Sequence, residues 1–197
     1  MVISLNPSDA TADECRALLL GSVVPRPIAW TSTVSPDGVL NLAPFSFFTV
    51  VSNTPPMLSL TIENREDGLD KDTLANIRGT GGFVVNIVPD SLVRAMAATS
   101  RDLHRDVDEF TVAGVTPLAS ECVRAPRVRE APISLECVLV HIVRPGSDSV
   151  VVGRVRRFHF AESVIDGDGQ VDLAALRPVA RLGRRFSIVR DCLDLHA

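Results

Sequence analysis

Lys71, Asp72 and Thr73 best suit binding chemistry, because they stand where a polar loop, ENREDGLDK, meets a short helical pattern. Lys71 is the only lysine in a chain that carries 20 Lys plus Arg. Asp72 reads as the N-cap of that helix, with Leu74 and Ile77 on one face and Gly79 near its end. Free N–H groups at a helix start beside an ammonium make a ready phosphate site, with Asp72 capping rather than touching the anion. The plain alternative is a solvated lysine at a helix start. Asn41 through Phe48 are the second candidate. Pro44 cannot donate to a ladder, so the backbone there departs from a regular central strand and frees amides, with the Ser46 hydroxyl alongside. At least one of Phe45, Phe47 and Phe48 is core, since successive strand residues point to opposite faces.

Other chemistries lack their residues. The 4 histidines show no HExxH spacing, and His141 and His159 fall in extended runs where a wall or cross-strand role competes with catalysis. The 4 cysteines have no CxxC pair, so neither zinc nor a disulfide framework is indicated. The glycines spell neither GxGxxG nor GxxxxGK[ST], and GxSxG is absent. A net charge of −4 without a basic block argues against nucleic acid. The most apolar stretch, residues 40–62, is broken by Asn41, Pro44, Asn53, Pro55 and Pro56, so no membrane span is expected. The first residues lack the basic start and apolar run of a signal peptide, and a cytoplasmic location is expected.

The elements that must position these residues follow from periodicity. Residues 11–20 predict a helix, with Thr11 and Glu14 at capping-box spacing, Cys15, Leu18 and Leu19 on one face, and Gly21 as its stop. Ser35-Pro36-Asp37-Gly38 separates two extended runs and predicts a hairpin. MLSLTIE and GFVVNIV read as strands, Ser91 as the cap of a helix carrying Leu92, Ala95, Met96 and Thr99, and FTVAGV as a short strand. ISLECVLVHIVR and VVVGRVRRFHFAE flank a turn and form the clearest hairpin. Strands arranged as hairpins favour an antiparallel barrel or sandwich with a few helices over a parallel sheet. At 46% hydrophobic and 22% charged, 197 residues suit one domain, with residues 1–20 as an opening helix and 186–197 as a C-terminal tail.

The strings PRPIAWTSTVSPDGVLNLAPFSFFTVVSNTPPMLSLTI, KDTLANIRGTGGFVVNIV, AMAATS, DEF and RPVARLG, in that order, resemble the flavin reductase-like family of FMN-binding split β-barrels. The resemblance covers most of the chain, from about Gly21 to about Arg185. It implies a mainly β fold, a six-stranded antiparallel split barrel, a homodimer, and FMN near the subunit interface. It also implies an FMN-dependent oxidoreductase in which NADH or NADPH gives hydride to flavin. A monooxygenase or electron-transfer partner fits such a protein, and an FMN-binding electron carrier without a nicotinamide site is the alternative. Thr31, Ser32 and Thr33 correspond to the family string that approaches the flavin ring, and the second candidate above, with Asn41, Phe45, Ser46, Phe47 and Phe48, is expected to offer it backbone amides and the Ser46 hydroxyl. Lys71, Asp72 and Thr73 then form the phosphate end. Arg181, Arg184 and Arg185 suit a phosphate of FMN or of a nicotinamide dinucleotide, or plain solvent exposure. Related chains carry an aromatic residue where this one has Arg184-Arg185-Phe186.

Overall fold

The computed structural model describes residues 1–65, 67–190 and 192. Its elements are α1 (Ala12–Ser22), β1 (Arg26–Pro27), β2 (Ala29–Val34), β3 (Leu40–Phe45), β4 (Phe48–Asn53), β5 (Pro56–Ile62), α2 (Asp72–Thr80) and β6 (Gly82–Ile87). There follow α3 (Val93–Ala98), α4 (Glu109–Ala113), β7 (Pro117–Leu118), β8 (Arg127–Val128), β9 (Ile133–Val143), β10 (Ser149–Phe160), α5 (Leu173–Leu176), β11 (Val179–Leu182) and β12 (Arg185–Ile188). The main sheet is antiparallel in the order β3-β2-β6-β9-β10-β5-β4. β3 and β4 sit at opposite ends of that order, yet only Ser46 and Phe47 separate them in the chain. They are two halves of one bent stave, so the seven strands of the sheet close into a barrel of six staves.

Inside the barrel lie Ala29, Phe45, Leu58, Leu60, Phe83 and Val151 among others. A second cluster, including Trp30, Leu42, Met96 and Phe110, fills the space between β2–β3 and helices α3 and α4. β2 is therefore covered on both faces, and every one of its residues is buried. At the hairpin β9–β10 the ladder shifts register between Val152 and Gly153 and again between Val155 and Arg157. Gly153 is required there, because a Cβ would stand 2.4 Å from Phe83 Cζ.

Five local expectations need correction. Ser91 lies inside a 3-10 turn, Asp90–Leu92, and Leu92 rather than Ser91 takes the N-cap position of α3. α1 has its capping box, Glu14 N–H to Thr11 Oγ1 at 3.2 Å and Thr11 N–H to Glu14 Oε2 at 2.8 Å. It runs through Gly21 to Ser22 because Arg26 Nη1 donates to the Leu20 and Val23 carbonyls at 2.7 and 2.9 Å, satisfying its end. Leu18 and Leu19 stay 54% and 63% exposed. Lys71, not Asp72, takes the N-cap position of α2, with extended φ/ψ. FTVAGV begins a helix rather than a strand, since Asp108 Oδ1 accepts from Phe110 N–H at 2.8 Å and Gly114 supplies the left-handed stop at φ 66°. Residues 185–188 pair with β11 as a strand instead of trailing as a tail.

One carboxylate is fully buried in the barrel wall. Glu136 accepts from Glu121 N–H at 2.9 Å and Cys122 N–H at 2.5 Å, and pairs with His159 Nε2 at 2.7 Å. Burial alone would raise its pKa, but these donors outweigh it and hold the carboxyl below the usual carboxylate range. Among the described residues no helix is long and apolar enough to cross a membrane.

Candidate functional site

The bend in the β3–β4 stave creates the site. Leu42 N–H turns away from β2 to Glu109 Oε2 at 3.1 Å. Strand parity then aims the Pro44 and Ser46 nitrogen positions the same way, toward the open side. Pro44 thus costs the β2–β3 ladder nothing, which is why it is tolerated inside β3. Neither the Ser46 nor the Phe47 N–H has a hydrogen-bond partner among the described residues.

Two adjoining cavities meet along Pro44 and Phe45, and Lys71 and Ser100 line both. The larger, about 240 Å³, adds Arg16, Arg26, Ser46, Phe47, Thr61 and Arg181 to its walls. The smaller adds Asn41, Asp72, Thr73, Thr99 and Glu109. Lys71 thus stands at the junction, where α2 starts. Its side chain makes no capping bond, and the N–H groups of Asp72 and Thr73 are free among the described residues. The first amides bonded within the helix belong to Leu74 and Ala75, which donate to the Lys71 carbonyl at 2.9 and 3.1 Å.

A buried polar chain fixes this helix start against the barrel. Asn41 Oδ1 accepts from Thr33 Oγ1 at 2.9 Å and Thr73 Oγ1 at 2.8 Å, and Asn76 Nδ2 donates to Thr33 Oγ1 at 3.1 Å. Asn41 Nδ2 donates in turn to Glu109 Oε1 at 2.8 Å. Burial pushes the Glu109 carboxyl above the usual range, against the pull of Asn41 and Leu42. The Thr73 hydroxyl is spent in this network, so only its backbone N–H faces a ligand.

The structure brings together Asn41, Phe45, Ser46, Phe47, Lys71, Asp72 and Thr73. It does not bring Thr31, Ser32 or Thr33 to the cleft. All three are fully buried: β3 and β6 flank Thr31 and Ser32, while Thr33 pairs with β3 and is covered by Asn76 of α2. Their hydroxyls bond Ala29 O, Pro126 O and Asn41 Oδ1. Phe48 is half-buried against the barrel core and lines neither cavity, while Phe45 is core and cleft wall at once. Arg16, Arg26 and Ser100 were not legible as site residues, since Arg26 comes from β1, Arg16 from α1 and Ser100 from beyond α3.

The flavin reductase like domain matches residues 20–174. The chain belongs to the flavin reductase-like family. An uncharacterised Aquifex aeolicus protein is 40% identical over 180 residues, covering 91% of this chain and 92% of its own. The crystal structure of nitrilotriacetate monooxygenase component B from Bacillus cereus superposes with a TM-score of 0.95 at 35% identity, covering 99% of each chain. A flavin reductase with split barrel domain from Shewanella frigidimarina gives 0.84 at 21% identity, covering 96% of this chain and 95% of that one. The fold is the mainly β, antiparallel split barrel of this flavin-related family. The cleft residues fit a flavin: free amides and an apolar edge at Pro44–Phe47, with an uncapped helix start and a lone ammonium beside them.

Proposed function

We propose that this member of the family is an FMN-dependent oxidoreductase of the flavin reductase type, with NADH or NADPH as hydride donor. The observation that carries the reading is the juxtaposition, in one cleft, of the free Ser46 and Phe47 amides with Lys71 and the uncapped start of α2. Bound FMN would supply the hydride-accepting chemistry. The chain's part is to hold it. The Lys71 ammonium with the Asp72 and Thr73 N–H groups would meet the phosphate, as a helix start meets an anion. Pro44, Phe45 and Phe47 would exclude water from one edge of the ring, and the Ser46 and Phe47 amides would donate where negative charge builds. The Asn41 network keeps α2 and the β3–β4 bend in register, so that both ends of the ligand meet fixed partners.

The nitrilotriacetate monooxygenase component B likeness supports passing reduced flavin to a monooxygenase partner. The homodimer and the cytoplasmic location belong to the same reading. Exposed Leu18, Leu19 and Val23 at 54%, 63% and 60% offer an apolar surface for a second copy to cover. Sedimentation giving a stable monomer at micromolar concentration would remove the dimer. The decisive experiment is the absorbance spectrum of the purified protein titrated with FMN, then with NADH and NADPH without oxygen. Perturbed flavin bands followed by bleaching with either nucleotide are expected. Bleaching only by a chemical reductant would favour an electron carrier without a nicotinamide site, and unperturbed bands would remove the flavin site itself.

A further inference from the structure

Asn41, Asp72 and Glu109 also line a third cavity, of about 190 Å³. Asp72 and Asn76 reach it from one face of α2, being four residues apart. The turn between β2 and β3 supplies Ser35 and Asp37, and it packs closely on α2, since a Cβ at Gly79 would stand 3.0 Å from Pro36 Cγ. Arg105 and Asp106 join from the segment ahead of α4. The floor of the cavity is buried, with Ser35 7%, Asn41 7% and Asn76 5% exposed, whereas the Asp37, Arg105 and Asp106 rim is open to solvent. Four carboxylates therefore share this space with one guanidinium. The ion pairs among the described residues give Asp37, Asp72 and Glu109 no cation, Arg105 takes part in none of them, and Asp106 meets only His104 Nδ1, at 3.3 Å. Burial pushes the Glu109 carboxyl up, and the charge of Asp72 adds to that push. A concave wall of one sign focuses its field on the space it encloses.

Asn76 adds a directed acceptor to this field. Thr33 Oγ1 has one proton and gives it to Asn41 Oδ1, so it must accept from Asn76 Nδ2. Asn76 Oδ1 is thereby turned away from the network and has no hydrogen-bond partner among the described residues. The buried side-chain atoms sealed off without a partner there are Asn64 Oδ1 and Arg127 Nε, so Asn76 Oδ1 opens to the cavity that its residue lines. An open carbonyl oxygen beside carboxylates suits a donor that is itself a cation. The carboxylates ring a space instead of converging on a point, and among the described residues no group of three or more His, Cys, Asp or Glu could hold a metal ion. The volume lies below the roughly 300–1,000 Å³ of drug-sized pockets, which suits a small ligand. We propose that this cavity binds a small aliphatic diamine, with one ammonium donating to Asn76 Oδ1 and the Asp72 and Glu109 carboxylates and the other meeting Asp37 and Asp106 at the rim. The proposal needs no flavin.

The test titrates the full chain, with and without saturating FMN, calorimetrically with 1,4-diaminobutane, n-butylamine and magnesium chloride at constant ionic strength. One equivalent of the diamine should bind, about 2–5-fold tighter than the monoamine, the range for one exposed ion pair. Magnesium should not displace it. Asp37→Asn and Asp106→Asn, both on the exposed rim, should each weaken the diamine by about 2–5-fold and leave FMN affinity unchanged. Asn76→Leu should weaken both amines by about 10–100-fold, as for loss of a charge-assisted hydrogen bond. Its melting temperature shows whether it folds, and the two rim variants carry the test if it does not. The proposal falls if the diamine heats do not saturate, if the monoamine binds as tightly, if magnesium displaces the diamine at equal ionic strength, or if the rim variants bind it as the wild type does.

Discussion

Replacing Lys71 by alanine tests the phosphate end of the cleft with little structural cost. Lys71 is the N-cap residue of α2 by its backbone, but its side chain makes no capping bond. Truncation therefore leaves the helix start as it is, and stability should change by less than about 0.5 kcal/mol, as for an ordinary surface substitution. Affinity is different. The ammonium and the free Asp72 and Thr73 amides face one cavity junction, so the variant keeps the amides and loses one charge-assisted contact. Such a contact contributes about 1–3 kcal/mol, or roughly 5–150-fold in Kd. Fluorescence titrations of FMN and riboflavin into wild type and Lys71→Ala separate phosphate from ring. FMN should weaken by that factor, and the loss should shrink as salt screens the partly open site. Riboflavin, without a phosphate, should bind both proteins alike. Equal loss for the two flavins, or no loss for FMN, would refute the phosphate assignment.

Ser46→Ala should cost about 0.5–1.5 kcal/mol in FMN affinity, and Ser46→Leu more, because a ligand wall tolerates added volume poorly. Comparison of melting temperature with FMN Kd for both variants decides the point, since a change in stability alone would make Ser46 structural. Gly153→Ala should lower stability by about 1–3 kcal/mol, because the new Cβ meets the fully buried Phe83 ring at 2.4 and 2.8 Å. Thermal melting checks this, and an unchanged midpoint would show that the ring can shift. Glu136→Gln should destabilise by about 1–3 kcal/mol at neutral pH, since the fully buried carboxylate serves three donors. A carboxyl held below its usual range stabilises above the unfolded value, about pH 4.3, and that stabilisation is lost as pH falls through the folded pKa. The gap between wild type and variant, measured by denaturant unfolding, should therefore close in acid. A gap independent of pH would contradict the assignment.

Local signals carried much of the fold. The α1 capping box, the long β9–β10 hairpin and the bracketed strand β5 all follow from residues within a few positions of one another. Spacing is enough for such elements, because their hydrogen bonds close locally. Lys71-Asp72-Thr73 was legible for the same reason, a helix start being a local event, although the exact cap shifted from Asp72 to Lys71. FTVAGV misled because its β-branched residues suggest a strand while the cap that starts the helix, Asp108, lies just outside it and Gly114 within it acts as the helix stop.

Tertiary structure decided the rest of the site. Thr31, Ser32 and Thr33 have the composition of an accessible strand, but β6 and β3 on either edge and α2, α3 and α4 beyond them leave no surface for a ligand. Arg26 belongs to a two-residue strand with no pattern of its own, and it meets Arg181 only because β11 returns to pair with it. The bend at Ser46 and Phe47 exists because one stave must pair with β2 in its first half and β5 in its second. From its own residues the sequence pointed to an antiparallel barrel or sandwich with a helix start at Lys71-Asp72-Thr73, and the resemblance, not the periodicity, chose the barrel. Which amides stay free and which cations share a wall depended on barrel closure, since those groups are distant in the chain and only long-range pairing sets them side by side.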